Sequence, residues 1–150
     1  MSDISAEDKA AFFQEVNAAS EKATWCAVAT VAKDGTPRVR LVHPTWEGDV
    51  LWIATAMSSP KAKQLAANPA VDVQYQVSAP DFVHIMVRGT AELLNDADSR
   101  KHVWDTMDYD LGDFWPEGPD TEDFVAIKIS PTRVELSEMF GSMNKRIWRA

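Results

Sequence analysis

The chain opens polar and acidic, and then Phe12, Phe13 and Val16 recur at the spacing of one helical face. Ser5, three residues ahead of Asp8 in "SAEDKAAFFQEVNAA", has the spacing of a capping box at the start of that helix. From Thr24 the pattern changes. "TWCAVATVA" and "PRVRLVHPTWEGDVLWIATA" are β-branched, aliphatic and aromatic runs broken at Asp34-Gly35 and at Glu47-Gly48-Asp49, and they predict three strands in an antiparallel meander. "AVDVQYQV" and "FVHIMVRGTAELL" predict two more strands, and "FVAIKIS" and "TRVELSEM" a last pair on either side of the breaker Pro131.

Two further helices punctuate these strands. "SSPKAKQLAANP" carries Ser58 and Ser59 as N-cap candidates, Pro60 at the first helical position and Asn68-Pro69 as a stop. "DADSRKHVWDTM" is helical after a cap at Asn95 or Asp96. Six or seven strands joined mostly by short turns, with few helices, predict a mainly β fold: an antiparallel barrel, closed or nearly so, rather than a parallel sheet. No repeat and no Gly- or Ser-rich linker divides the sequence, so residues 1–150 are expected to form a single domain. The irregular stretch is the acidic segment 109–123, "YDLGDFWPEGPDTED", longer than an ordinary connection; it is read either as a solvated loop or as a functional one.

Composition narrows the partners. A formal net charge of −8 argues against nucleic acid and against an anionic membrane surface, and leaves a small molecule or another protein. Cys26 is the only cysteine and lies within an apolar run, so an inert buried thiol in a reducing cytoplasm is expected. A basic segment followed by an apolar one is absent from the N-terminus, and no apolar run is long enough to cross a bilayer, so the expectation is a soluble, unprocessed protein.

The familiar nucleotide and hydrolase signatures (G-x-G-x-x-G, Walker A, G-x-S-x-G, H-E-x-x-H) are missing. His43, His84 and His102 have no second ligand at metal-binding spacing, so no metal site is expected. The chemistry concentrates instead in "TAMSSPKAKQLAANP", residues 55–69. With Ser59 capping a helix that begins at Pro60, the first-turn N–H groups and the positive end of the helix dipole face outward beside the hydroxyls of Thr55, Ser58 and Ser59. Lys61 adds a cation where the dipole favours carboxylates, which points to an external anion; Lys63 faces elsewhere. A plain capped helix with solvated lysines is the competing reading. In "TPRVRLV", Arg38 and Arg40 share one strand face and Val39 and Leu41 the other, so paired guanidiniums either meet a phosphate or carboxylate or simply cover an outer face. His84 alternates with Phe82, Met86 and Arg88, within reach of a bound ring or as an ordinary strand-surface histidine.

Together "DGTPRVRLV", "LWIATAMSSPKAKQLAANPAVDVQY", "VRGTAELL" and "FVAIKISPTRVEL" resemble, in order and spacing, the FMN-binding split barrel of the pyridoxamine 5′-phosphate oxidase family, and most closely its short general-stress-protein-like branch. The resemblance spans residues 24–136 and implies a homodimer with FMN between the subunits. It implies that Arg40 of the G-x-P-x-x-R segment and Thr55, Ser59 and Lys61 of the T-x-x-x-S-x-K segment contact the FMN phosphate and ribityl chain. By the same alignment the backbone around Leu41, Val42, Ile53 and Ala54 faces the isoalloxazine, and His84 stands where the oxidases often have Gln. The tail "SEMFGSMNKRIWRA" lacks the histidine of the B6-oxidising members, so pyridoxamine phosphate oxidation is not expected, and Trp148 becomes a candidate to stack on a flavin ring.

These readings lead to an FMN-dependent oxidoreductase, with FAD as the alternative form, a small-molecule substrate and either NAD(P)H or a reductase as electron donor. The alternatives are a non-catalytic flavin-binding or sensing protein, a split barrel for deazaflavin or haem, and a structural domain with an empty groove.

Overall fold

In the computed structural model, which describes residues 1–150, the chain runs β1 (Ser2–Asp3), α1 (Lys9–Ala23), β2 (Cys26–Val31), β3 (Pro37–Val42), β4 (Thr45–Glu47), β5 (Val50–Ala56), α2 (Pro60–Ala67), β6 (Ala70–Gln76), β7 (Val83–Leu94), α3 (Ala97–Thr106), β8 (Phe124–Glu138) and β9 (Met143–Arg149). The capping-box residues meet as their spacing requires: Ser5 Oγ donates to Asp8 Oδ2 at 2.6 Å and accepts from the Asp8 N–H at 3.2 Å. Phe12, Phe13 and Val16 are all buried.

β7 and β8 form an antiparallel ribbon along their whole length, from Val83 opposite Glu138 to Leu94 opposite Ala126. The other edge of β8 has two neighbours in succession, β5 along Phe124 to Ile129 and β9 along Arg133 to Glu138. Pro131 falls at that changeover, where the register with β7 also shifts, so its missing N–H is tolerated and one bent strand replaces the two expected there. From β7 the sheet continues through β6 and β2 to β3, while β4 pairs only with β5. The architecture is the expected split barrel: seven strands of six residues or more, all antiparallel, and β1 alone added in parallel to β9.

The predicted meander over residues 24–56 is broken in the middle. β2 pairs with β3 and β4 with β5, but β3 and β5 do not pair, so β3 keeps one edge free. That gap positions the candidate site.

Both faces of β5 are covered, which is why "VLWIATA" reads as an unbroken apolar run. Leu51 and Ile53 enter the main core with Val28, Tyr75, Ile85 and Ile127, whereas Trp52 enters a second cluster under α3 with Val103, Leu111 and Phe124. Complete burial of Leu51 and Ile53 stabilises the fold by about 1.5–3 kcal/mol each. Cys26 is buried, and desolvation pushes its thiol up to about 12. No helix is long and apolar enough to cross a membrane.

Candidate functional site

The start of α2 forms as its sequence dictates. Ser59 is the N-cap, its Oγ accepting from the Ala62 N–H at 3.3 Å, and Pro60 occupies the first turn. The Lys63 N–H bonds the Ser59 carbonyl, leaving the Lys61 N–H without a partner at the positive end of the helix. Thr55, at the end of β5 and almost fully buried, places its Oγ1 3.4 Å from Ser59 Oγ.

β3 inverts the usual alternation of a surface strand. Val39 and Leu41 are 68% and 74% exposed, while Arg40 is turned inward and partly buried. Its guanidinium donates to Thr30 Oγ1 at 2.9 Å and to Gln64 Oε1 at 3.0 Å, and Thr30 donates to the same Gln64 oxygen at 2.6 Å. A strand residue and a helix residue therefore fix the fork in place, and both acceptors are neutral.

Arg38, Arg40 and Lys61 make no ion pair with any carboxylate of the chain. Burial, and then the charge of Arg40, holds the Lys61 ammonium below the usual lysine value. Burial and the charge of Arg38 lower Arg40 in the same direction. Lys61 and Arg40 each feel a neighbouring cation and have no counter-ion, an arrangement that suits an anion from outside.

Beside them opens a cavity of about 440 Å³, lined by Thr55, Ser59 and Lys61 on one side and by Tyr109, Phe114 and Trp115 on the other, with Ala54 and Ala56 between. The acidic segment 109–123 thus supplies an aromatic wall. It is anchored at several points: Arg100 Nε donates to the Pro119 carbonyl at 2.9 Å and its Nη2 to the Thr121 carbonyl, Leu111 is buried, and the Trp115 ring packs edge-on against Phe124 at 4.9 Å. Asp123 ties the end of the segment to α2, accepting from the Ser58 N–H at 2.9 Å and the Ser58 hydroxyl at 2.7 Å.

Not every residue singled out in the sequence comes to this place. Thr55, Ser59, Lys61 and Ala54 do, and Arg40 borders them. Leu41 and Val42 lie on β3, which has one free edge, the Leu41 side chain is exposed and the Ile53 side chain is in the core; none of the three lines this cavity. The Ser58 hydroxyl is committed to Asp123. His84 is 5% exposed and lines a separate cavity between β6, β7 and β8. Trp148 packs in the main core, its ring edge-to-face with Phe13 at 5.0 Å and the Lys9 ammonium 5.0 Å from its centroid, so it does not line the cavity at Lys61. Thr30, Gln64 and the aromatic trio were not singled out by the sequence; only the length of the acidic segment hinted at the last.

The family model for pyridoxamine 5′-phosphate oxidase matches residues 12–138. No curated protein matches the sequence significantly. Among solved structures, the chain is similar to a Clostridium acetobutylicum protein related to general stress protein 26, at 21% identity and a TM-score of 0.75 over 93% of this chain and 94% of that one. It is also similar to general stress protein 26 of Bacillus anthracis, at 22% identity and a TM-score of 0.73 over 93% and 98%. An F420 reductase matches at 27% identity and a TM-score of 0.62, over 79% of this chain and 94% of that one.

Proposed function

The chain belongs to the pyridoxamine 5′-phosphate oxidase family, and on that premise we propose that it is a flavin-dependent oxidoreductase of a small molecule, with FMN as its cofactor. The observation that carries this reading is the cluster of Arg38, Arg40 and Lys61, three cations with no carboxylate partner beside a capped helix start. A phosphate ester fits that donor set, and a flat ring fits an adjoining cavity walled by aromatic side chains. When bound, FMN supplies the transfer of two electrons and a proton between a reduced nicotinamide donor and the substrate, which no side chain here provides.

The chain's own residues then bind, orient and exclude. Lys61 and Arg40 neutralise the phosphate, and the hydroxyls of Thr55 and Ser59 donate to its oxygens. Thr30 and Gln64 hold the Arg40 fork at a fixed angle, so little rotamer freedom is lost on binding. Main chain at Leu41, Val42 and Ala54 offers backbone groups to the polar edge of the ring. Tyr109, Phe114 and Trp115 keep water from the pocket.

A second copy of the chain completes the reading. Val39 and Leu41 are apolar, exposed and next to the free edge of β3, which is the surface a homodimer would cover. A cytoplasmic setting suits the single, unpaired Cys26. The F420 reductase, the most identical in sequence of the three relatives above, supports one alternative: a deazaflavin in the same phosphate site. Pyridoxamine phosphate is not the proposed substrate, because the tail has no histidine.

The deciding experiment is the visible spectrum of the purified protein, with mass identification of whatever denaturation releases. Stoichiometric FMN supports the proposal, and repeated reduction by NADH or NADPH separates an enzyme from a flavin sensor. A released deazaflavin selects the second reading. A colourless protein that fails to take up added FMN overturns it.

A further inference from the structure

β3 and the connection that follows it reach both sides of the cavity at Lys61. Arg40 turns toward α2, and His43, between β3 and β4, turns toward the aromatic wall. His43 Nε2 lies 2.8 Å from Asp108 Oδ1, and because a carboxylate only accepts, the hydrogen is on that nitrogen. Thr45 Oγ1 donates to the same oxygen at 3.0 Å and accepts the Asp108 N–H at 3.3 Å. Three bonds thus pin the residue that immediately precedes the wall.

The same imidazole also lies against the wall itself. The His43 and Tyr109 rings are stacked, with 4.3 Å between centroids and 25° between planes. Tyr109 meets Phe114 edge-on at 6.1 Å, and Phe114, itself 66% exposed, stands 6.0 Å from Trp115. Burial, and then the charge of Asp108, raises the Tyr109 hydroxyl above the usual phenol value, so the ring faces the cavity as a neutral phenol.

Arg100 and Ser58 secure the far end of segment 109–123, at Pro119, Thr121 and Asp123. The near end depends on His43 and Thr45. A side chain ordered before a ligand arrives loses little freedom when it does, so the stack acts on binding without touching the ligand.

We propose that His43 is a positioning residue of this site: it does not line the cavity, and it holds the Tyr109 ring, which does, where a planar ligand ring can lie against it. That role rests on the ring site proposed above. Residues 40–43 then set both the charged and the aromatic side of the cavity. A merely structural His43 is the competing reading; it would lower stability without any coupling to Tyr109 in ligand affinity.

The test uses the full chain labelled with 3-fluorotyrosine. There are two tyrosines, and Tyr75 is buried in the core, so two fluorine signals are expected, of which the one lost in Tyr109→Phe belongs to Tyr109. In His43→Ala that signal should move toward the position of free fluorotyrosine while the Tyr75 signal stays. FMN affinity, by calorimetric titration, should fall about three- to tenfold in His43→Ala. It should recover to within about twofold in His43→Phe, which keeps a stacking ring without the donor, and stay low in His43→Gln, which keeps a donor without the ring. In a Tyr109→Ala background, His43→Ala should cost nothing more. Equal weakening by His43→Ala with and without Tyr109 overturns the proposal, as does an unmoved Tyr109 signal. If His43→Ala fails to fold, His43→Gln carries both comparisons. A parent protein that binds no FMN refutes the cofactor reading, and the Tyr109 signal, which needs no ligand, then decides the role of His43 by itself.

Discussion

Gln64 Oε1 accepts from Arg40 Nη2 at 3.0 Å, joining helix α2 to the free-edged strand β3 without neutralising the arginine. A carboxylate at this position would do the same geometric work and supply the counter-ion that the site lacks. The two roles of residue 64 are therefore separable. Gln64→Leu should lower FMN affinity by about 1 kcal/mol through a loosened fork, and Gln64→Glu should lower it further despite restoring the acceptor. Calorimetric titration with FMN checks the order; a Glu variant that binds as well as the parent would mean that orientation alone matters.

The cations themselves should matter more than their support. Arg40→Ala and Lys61→Ala each remove charge-assisted bonds to the phosphate and should cost about 1–3 kcal/mol in FMN affinity. Lys63→Ala, on an exposed position near Asp123, should change nothing and serves as the control for net charge. Unchanged binding in both Arg40→Ala and Lys61→Ala would remove the phosphate from this place.

Lys61 also sets a pH dependence whose sign is fixed by its surroundings. Burial first, and Arg40 second, lower its folded value below the ordinary lysine one. The folded protein therefore releases this proton before the unfolded chain does. Alone, its stability gains from Lys61 as the pH rises from the lowered value to the ordinary one, and that gain is absent below the window. A bound phosphate needs the charged form and reverses the preference. The thermal stabilisation given by saturating FMN should accordingly shrink across this alkaline window in the parent protein and stay flat in Lys61→Gln.

What the sequence disclosed follows from how local each feature is. The cap at Ser59, the first-turn Pro60 and the misplaced cation Lys61 all lie within one helical turn, and the structure keeps them together. The orientation of Arg40 depends on Thr30 and Gln64, ten and twenty-four residues away, and spacing along one strand carries no trace of either. The segment 109–123 announces itself as irregular, but its return to Lys61 is set by Arg100 and Ser58, which lie on other elements. β9 was hidden for a different reason. Ile147 and Trp148 are consecutive and both buried, so the strand has no alternation to read. The gap between β3 and β5 was invisible because two hairpins and one meander share the same turn signals.

Gly89 sits in the middle of β7 for a packing reason. A Cβ there would stand 2.6 Å from the Ser130 carbonyl oxygen and 3.1 Å from the Pro131 Cα, where β7 and β8 shift register. Both are backbone atoms in the central ribbon of the sheet, so no flexible side chain can move aside and the strands themselves must part. Gly89→Ala should destabilise the fold by about 1–3 kcal/mol, as overpacking of a rigid interior does. Gly35→Ala makes the useful contrast: its Cβ meets nothing within 4 Å, and its cost comes only from a φ of +87° in an exposed turn. Because the strain at Gly89 falls on the β7–β8 ribbon and not on α2, the folded variant should bind FMN like the parent while its thermal midpoint drops by several degrees. A Gly89→Ala protein as stable as the parent would mean that the ribbon yields at the bulge and that glycine is there for another reason.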